Sequence, residues 1–168
     1  MKKLYIVFML IFISSCDDGD LQIESLDFND VDIETCSTID IAQANTLFKI
    51  NDDEALILIL GADVLQQEEG TITVEMTSST SSTIIYRLFS DTVTSDYFCD
   101  DIPPSTPTVL DEITATEATI TITTTSTGTV DVPEYEHYIE LTSITLETST
   151  DQRITDLSID EYGTITTN

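Results

Sequence analysis

The chain has 168 residues, with 32 Asp and Glu against five Lys and Arg, a formal net charge of −27 at pH 7 and no Trp. A surface this acidic repels nucleic acid, whose recognition rests on Lys and Arg meeting phosphates, and repels anionic membrane surfaces unless divalent cations intervene. Such charge raises the question of disorder, but the many Ile, Leu, Val, Thr and aromatic residues can fill a core, and the length suits one domain.

Met1-Lys2-Lys3 is cationic, residues 4–13 are an unbroken apolar run, and Ser14-Ser15-Cys16 closes it with small residues. The run is too short for the ~20 residues of a membrane-spanning helix. It fits the apolar region of a secretory signal, so residues 1–15 read as a signal peptide. The alternative is a buried helix opening a cytosolic domain. Ile13-Ser14-Ser15-Cys16 resembles the lipobox of bacterial lipoproteins, although that family prefers Leu where Ile13 stands and Gly or Ala where Ser15 stands. The resemblance implies cleavage before Cys16, lipidation of its thiol and attachment to a membrane through acyl chains. Two or more such chains anchor stably, at ~0.8 kcal/mol per buried methylene.

Asp17-Asp18-Gly19-Asp20 follows and resembles the surface-export signal of lipoproteins of the Bacteroidetes group. That implies the outer face of the outer membrane, with the periplasmic face as the alternative. Taken as chemistry alone, residues 16–20 are a solvated acidic tether. Residues 21–168 then form a single domain whose cations are Lys49, Arg87 and Arg153.

The domain reads as strands almost throughout, because Thr, Ile, Val, Tyr and Phe suit a pleated, half-buried surface and no window holds a helical period. Strands are expected over residues 21–28 and 31–36. Residues 46–50 and 55–60 read as a hairpin around a four-residue loop, 51–54. Residues 55–60 are apolar throughout and belong in the centre of a sheet, covered on both faces. Residues 62–69 read as a loop with one turn. Residues 71–76 and 83–89 are strands joined by a Ser/Thr-rich loop, with Arg87 partly covered and paired to a carboxylate. Pro103, Pro104 and Pro107 make residues 100–108 a surface crossing.

Residues 118–125 alternate Ile with Thr, and a turn over 128–133 leads into 135–146. There the apolar set slips phase, from Ile139 and Leu141 to Ile144 and Leu146, as a β-bulge would produce. Strands at 153–159 and 164–166 complete the chain. Nine or ten short strands with turns between them argue for an all-β, antiparallel β-sandwich of Ig-like or jelly-roll-like type, with a closed barrel as the alternative. Parallel α/β architecture is excluded for want of crossover helices. The Thr-rich strands resemble the Thr-x-Thr rows of ice-binding β-proteins, but only residues 119–125 approach such a row, and Thr is simply a good strand residue. The domain as a whole resembles the small acidic lipoproteins of flavobacteria, through Cys16-Asp17-Asp18-Gly19-Asp20, Cys36 and Leu47-Phe48-Lys49-Ile50 before an acidic turn. The resemblance implies an address and a fold and carries no functional residue.

Cys36 and Cys99 remain once Cys16 is assigned to lipid. An oxidising compartment favours a disulfide between them over two buried thiols. His137 is the only histidine, so zinc sites are excluded, and a packed strand histidine beside tyrosines is favoured over a Ser-His-Asp triad, for which no flanking motif exists. With 32 acids, a carboxylate pair at glycosidase spacing has no specificity as a signal. The one constellation that suggests a ligand is for Ca²⁺. Asp27, Asp30, Asp32 and Glu34 surround a turn, and a Cys36–Cys99 bond would bring Asp100 and Asp101 near Glu34. Asp52, Asp53 and Glu54 form a second acidic turn. None matches the EF-hand spacing, and solvated carboxylates are the alternative. The reading is a non-enzymatic envelope lipoprotein that needs no cofactor and binds a protein or glycan partner or plays a structural part. An extracellular hydrolase and an accessory subunit of a surface uptake or adhesion complex are the alternatives.

Overall fold

The computed structural model describes residues 26–77, 79–147, 153–154 and 160–168. Cys16, the signal and tether segments, residues 21–25 of the first expected strand and residues 155–159 of a late one lie outside them. The elements run β1 (Asn45–Asn51), β2 (Glu54–Leu60), β3 (Gly70–Met76), β4 (Thr83–Phe89), α1 (Asp96–Cys99), β5 (Val109–Ser126), β6 (Tyr135–Glu147), β7 (Arg153–Ile154) and β8 (Glu161–Thr167). The strands form one antiparallel sheet in the order β1-β2-β4-β5-β6-β7, with β3 also on β5 and β8 also on β6. The sheet curls into a half-barrel.

β5 makes the curl. Its first part pairs with β4, from Val109 opposite Phe89 to Thr114 opposite Ile85. Its second part pairs with β3, from Ala118 opposite Met76 to Thr124 opposite Gly70. From Ala115 to Ser126 it also pairs with β6. The register with β6 shifts twice, at Ala115/Glu117 and at Thr119/Ile120. At the second shift Thr119 faces Ser143 while Ile120 faces Leu141, so Thr142 is the extra residue that the phase slip anticipates. Each irregularity adds local twist and bends the strand.

The curl brings inward-facing side chains from both ends of the sheet into one core. Leu47, Leu56, Leu58, Leu60 and Ile84 meet Ile120, Ile122, Ile139, Leu141 and Tyr162. Tyr162 is fully buried, and its hydroxyl donates towards the carbonyls of Leu47 and Leu56 at 3.1 and 3.2 Å, tying β8 to the β1–β2 ladder across the core. Burial holds the phenol far above its ordinary pKa, with a backbone contact at Leu58 offsetting this in part.

Residues 26–41 are not the pair of strands expected. Among the described residues their ladder contact is the Glu34–Phe48 bridge. Leu26 and Phe28 are buried in the core, and Val31, Ile33, Ile39 and Ile41 pack against it. Ile33 lies so close to Gly163 that a β-carbon there would meet its Cδ1 at 2.9 Å. The segment therefore straps the gap between β1 and β8, and its alternation reflects burial without a full ladder.

The first hairpin is tighter than expected. Asn51 pairs with Glu54, leaving the two-residue turn Asp52-Asp53, with Asp52 at φ 58, a conformation Asp tolerates better than most residues. As expected, β2 is buried on both faces. Its second face, with Phe48 and Phe89, is covered by Val93, Tyr97 and Phe98. Those residues lie in the segment between β4 and β5, which also holds the four-residue helix α1, not expected from the sequence. Phe48 and Phe98 stack with ring centroids 4.5 Å apart, and Phe89 meets Tyr97 edge-on at 4.8 Å. The expected disulfide joins Cys36 to Cys99, connecting the strap to the end of α1. Arg87 pairs with Glu112, its partner directly across the β4–β5 ladder.

Tyr162→Phe is expected to lower the unfolding free energy by about 1 kcal/mol, the net worth of one buried hydrogen-bonding group, and Tyr162→Ala by about 3–5 kcal/mol through the cavity it leaves. Urea unfolding followed by circular dichroism reads both.

Candidate functional site

Three regions carry polar chemistry. The first is a pocket of about 330 Å³ over the strap, with Asp30, Asp32 and Glu161 among its lining residues and Lys49 and Tyr162 at its base. Lys49 sits on the same strand face as Leu47 and is almost wholly buried. Its Nζ donates to the Phe28 carbonyl at 2.8 Å and lies 5.5 Å from the centre of the Tyr162 ring. Burial lowers the pKa of the ammonium, while Glu161 and then Asp32 pull it back up. Lys49 thus acts as an internal counter-charge for two of the surrounding carboxylates and fixes the strap to β1.

The six carboxylates expected around Ca²⁺ are dispersed. Asp27, Asp30, Asp32, Asp100 and Asp101 are exposed and Glu34 is half-buried. Asp27 accepts the Asn29 amide, and Glu34 is fixed by its backbone bridge to Phe48. Asp30 and Asp32 rim the pocket that already holds the Lys49 cation. Among the described residues no group of three or more acidic, His or Cys side chains is arranged to hold a metal ion. The second acidic turn has structural partners. The Asp52 and Asp53 carbonyls accept the amides of Val93 and Phe89, the Asp52 carboxylate accepts the Thr92 hydroxyl, and Glu54 accepts the Tyr86 hydroxyl.

The second region is the sole histidine. His137 is fully buried on β6 between two threonines. Its Nδ1 lies 2.9 Å from the Thr124 hydroxyl of β5, and its Nε2 lies 2.9 Å from the Thr167 hydroxyl of β8. Burial lowers its pKa and keeps the ring neutral. Both ring nitrogens are occupied by partners that knit three strands together, so the packed strand histidine expected from the sequence is what the fold contains. Its partners are threonines, however, and nothing in the sequence pointed to Thr124 and Thr167.

The third region is the outer face of β3, β5, β6 and β8. The β3–β5 register sets Thr71 beside Thr123 and Thr73 beside Thr121, and the β6–β8 register sets Tyr138 beside Thr164 and Glu136 beside Thr166. The Thr71 and Thr123 hydroxyls are hydrogen-bonded at 3.1 Å, and the Thr119 hydroxyl donates to Glu75 at 3.0 Å. Tyr138, with burial and the neighbouring Glu161, Glu140 and Asp160 disfavouring its charged form, has a raised pKa. The sequence showed one row of threonines, and the sheet register adds its neighbours. A further pocket of about 530 Å³ lies between the end of β3 and the start of β4, against residues 114–116 of β5, lined among the described residues by Met, Ala, Ser and Thr. Among the described residues no helix is long and apolar enough to cross a membrane. Comparison with protein-family models, curated proteins and solved structures finds no match to this chain.

Two outcomes are expected. Millimolar Ca²⁺ and Mg²⁺ should raise the melting temperature equally, because both then act only as screening divalent ions on an acidic surface; thermal scans with each ion and with EDTA measure this. The second outcome concerns pH. The unfolded chain protonates His137 near its ordinary value of 6.5, whereas the folded chain resists protonation to lower pH. The stability contributed by the neutral ring is complete above pH 6.5 and falls as pH drops, by at most ~1.4 kcal/mol per pH unit. The difference in unfolding free energy between the wild type and His137→Gln should narrow between pH 7 and pH 5.

Proposed function

We propose that the chain is a lipid-anchored, non-enzymatic module of the cell envelope, held through Cys16 and exposed at the surface, that binds a protein or glycan partner or forms part of the surface layer. The observation that carries this reading is the outer face of β3, β5, β6 and β8, where Thr71, Thr73, Thr121, Thr123, Glu136 and Tyr138 are set side by side by the register without a Lys or Arg among them. Such a face offers hydroxyl and carboxylate hydrogen-bonding groups and favours neutral or cationic partners. The employment of His137 and Lys49 within the fold supports the non-enzymatic part of the reading, because the groups best suited to proton transfer at neutral pH are buried and hydrogen-bonded. In the same reading the half-barrel is sandwich-like, with β1, β2, β4 and the start of β5 as one layer and β3, β6, β8 and the rest of β5 as the other.

The test is fractionation of cells producing the wild-type chain or Cys16→Ser. The wild type is expected in the outer membrane and cleaved by protease added to whole cells, and Cys16→Ser is expected in a soluble fraction. Retention of Cys16→Ser in the membrane would overturn the anchor, and protection from external protease would place the protein on the periplasmic face.

A further inference from the structure

The segment between β4 and β5 has the anatomy of a loop tied at its neck. The Ser90 amide donates to the Thr108 carbonyl and the Thr108 amide to the Ser90 hydroxyl, at 2.9 and 3.0 Å. Val93 donates to the Asp52 carbonyl at 2.9 Å. Beyond the neck, among the described residues, no hydrogen bond ties residues 94–107 to the sheet; those that α1 makes are internal, such as Tyr97 to Thr94 and Asp100 to Asp96. α1 contains no buried residue and has no side-chain cap, so it has little stability of its own. Two things hold it down, the contacts of Tyr97 and Phe98 with Phe48 and Phe89, and the Cys36–Cys99 bond.

What the loop covers is apolar. Phe48, Ala55, Ile57 and Phe89 are all at most 4% exposed, and Ile50, Ile59 and Ile85 extend the same face. The bond that fastens the cover is at the surface. Cys36 and Cys99 are both exposed, and Cys36 lines a pocket of about 300 Å³ together with Thr35, Ser37, Asn45, Thr46 and Phe98. The bond thus borders open space of the size of a small dithiol. A disulfide that only reinforces a fold gains nothing from such access, whereas an exposed one is open to exchange.

We propose that the Cys36–Cys99 disulfide is a redox latch, whose reduction releases residues 94–107 and uncovers the aromatic outer face of β1, β2 and β4. The chemistry is thiol–disulfide exchange with a dithiol. One thiolate of the reductant attacks a sulfur of the pair, the Sγ–Sγ bond breaks and a mixed disulfide forms. The second reductant thiol then displaces it, leaving Cys36 and Cys99 as two thiols and the reductant as a cyclic disulfide. The freed loop still connects β4 to β5 at its neck, so the sheet keeps its register while the cover lifts. The latch makes the apolar face conditional on the redox state outside the chain.

The experiment compares the purified chain before and after dithiothreitol. Amide hydrogen exchange and an uncharged dye, Nile red, are the readouts, since an anionic dye would be repelled by the surface. In the reduced chain the amides of Tyr97, Phe98, Cys99 and Asp100 should exchange at the rate of an open loop. Those of β2, β5 and β6 should stay protected, and dye fluorescence should rise several-fold. Reoxidation should reverse both changes. Unchanged exchange at residues 97–100 would show that the ring contacts alone hold the cover, and loss of protection in every strand together would show that the bond supports the whole fold; either result overturns the latch. Cys36→Ser combined with Cys99→Ser should reproduce the reduced state without reductant. If that variant does not fold, reduction of the folded wild type still decides the question.

Discussion

Everything in this fold depends on one strand belonging to two neighbourhoods. β5 pairs with β4 through its first part, then with β3 through its second, while β6 follows it along most of its length. A backbone committed in this way cannot lie flat, because each register shift adds twist. The curl sets Ile113 and Ala115 in the same core as Ile120 and Ile122 and points both at Leu56 and Leu58. It also brings β8 close enough for the Tyr162 hydroxyl to reach the β1–β2 ladder. Packing then stabilises a shape that the hydrogen-bonding pattern has already selected.

A net charge of −27 imposes the second constraint. Mutual repulsion among carboxylates favours expansion, so each cation has unusual leverage where it is placed. Arg87 sits on the sheet and bonds to its cross-strand neighbour Glu112. Lys49 is drawn inward, under carboxylates contributed by the strap and by β8. Its burial is unfavourable to the charge, but its bond to the Phe28 carbonyl helps to fasten a segment whose ladder pairing, among the described residues, is the Glu34–Phe48 bridge. The acidic turn after β1 is likewise built into the structure through its bonds to Thr92, Val93 and Phe89.

Much of this was legible in the sequence, and the failures share a cause. The all-apolar run of β2 announced burial on both faces, and the phase slip in β6 marked the bulge at Thr142, since both are properties of side chains along one strand. Residues 26–36 alternate like strands because Leu26 and Phe28 are buried and Ile33 is half-buried in a gap, yet periodicity reports burial and is silent on which backbone groups pair. The first part of β5 carries Asp111 and Glu112 and exposes Leu110, so its strand character comes from β4 beside it. Four residues of α1 are too few to display a helical period. Lys49 shared the parity of Leu47, which pointed it at the core, but a lysine is ordinarily counted with the surface. The Thr124–His137–Thr167 chain and the neighbouring rows of threonines exist only once three strands are in register.

The strap has a mechanical consequence. Tension applied to the chain ahead of Leu26 meets a segment held by side-chain packing, the Glu34–Phe48 bridge and the side-chain bonds of Asn51 and Lys49 to the Asp27 and Phe28 carbonyls, which yields by peeling. The peeling stops at Cys36, where the covalent bond passes the load to Cys99 and the loop before β5. Between Leu26 and Cys36 the chain can extend by no more than roughly 35 Å, given ~3.3–3.6 Å per residue. With the bond closed, the segment is a short yielding leash with a hard limit, and β1 to β4, which lie between the two cysteines, are bypassed by the pull.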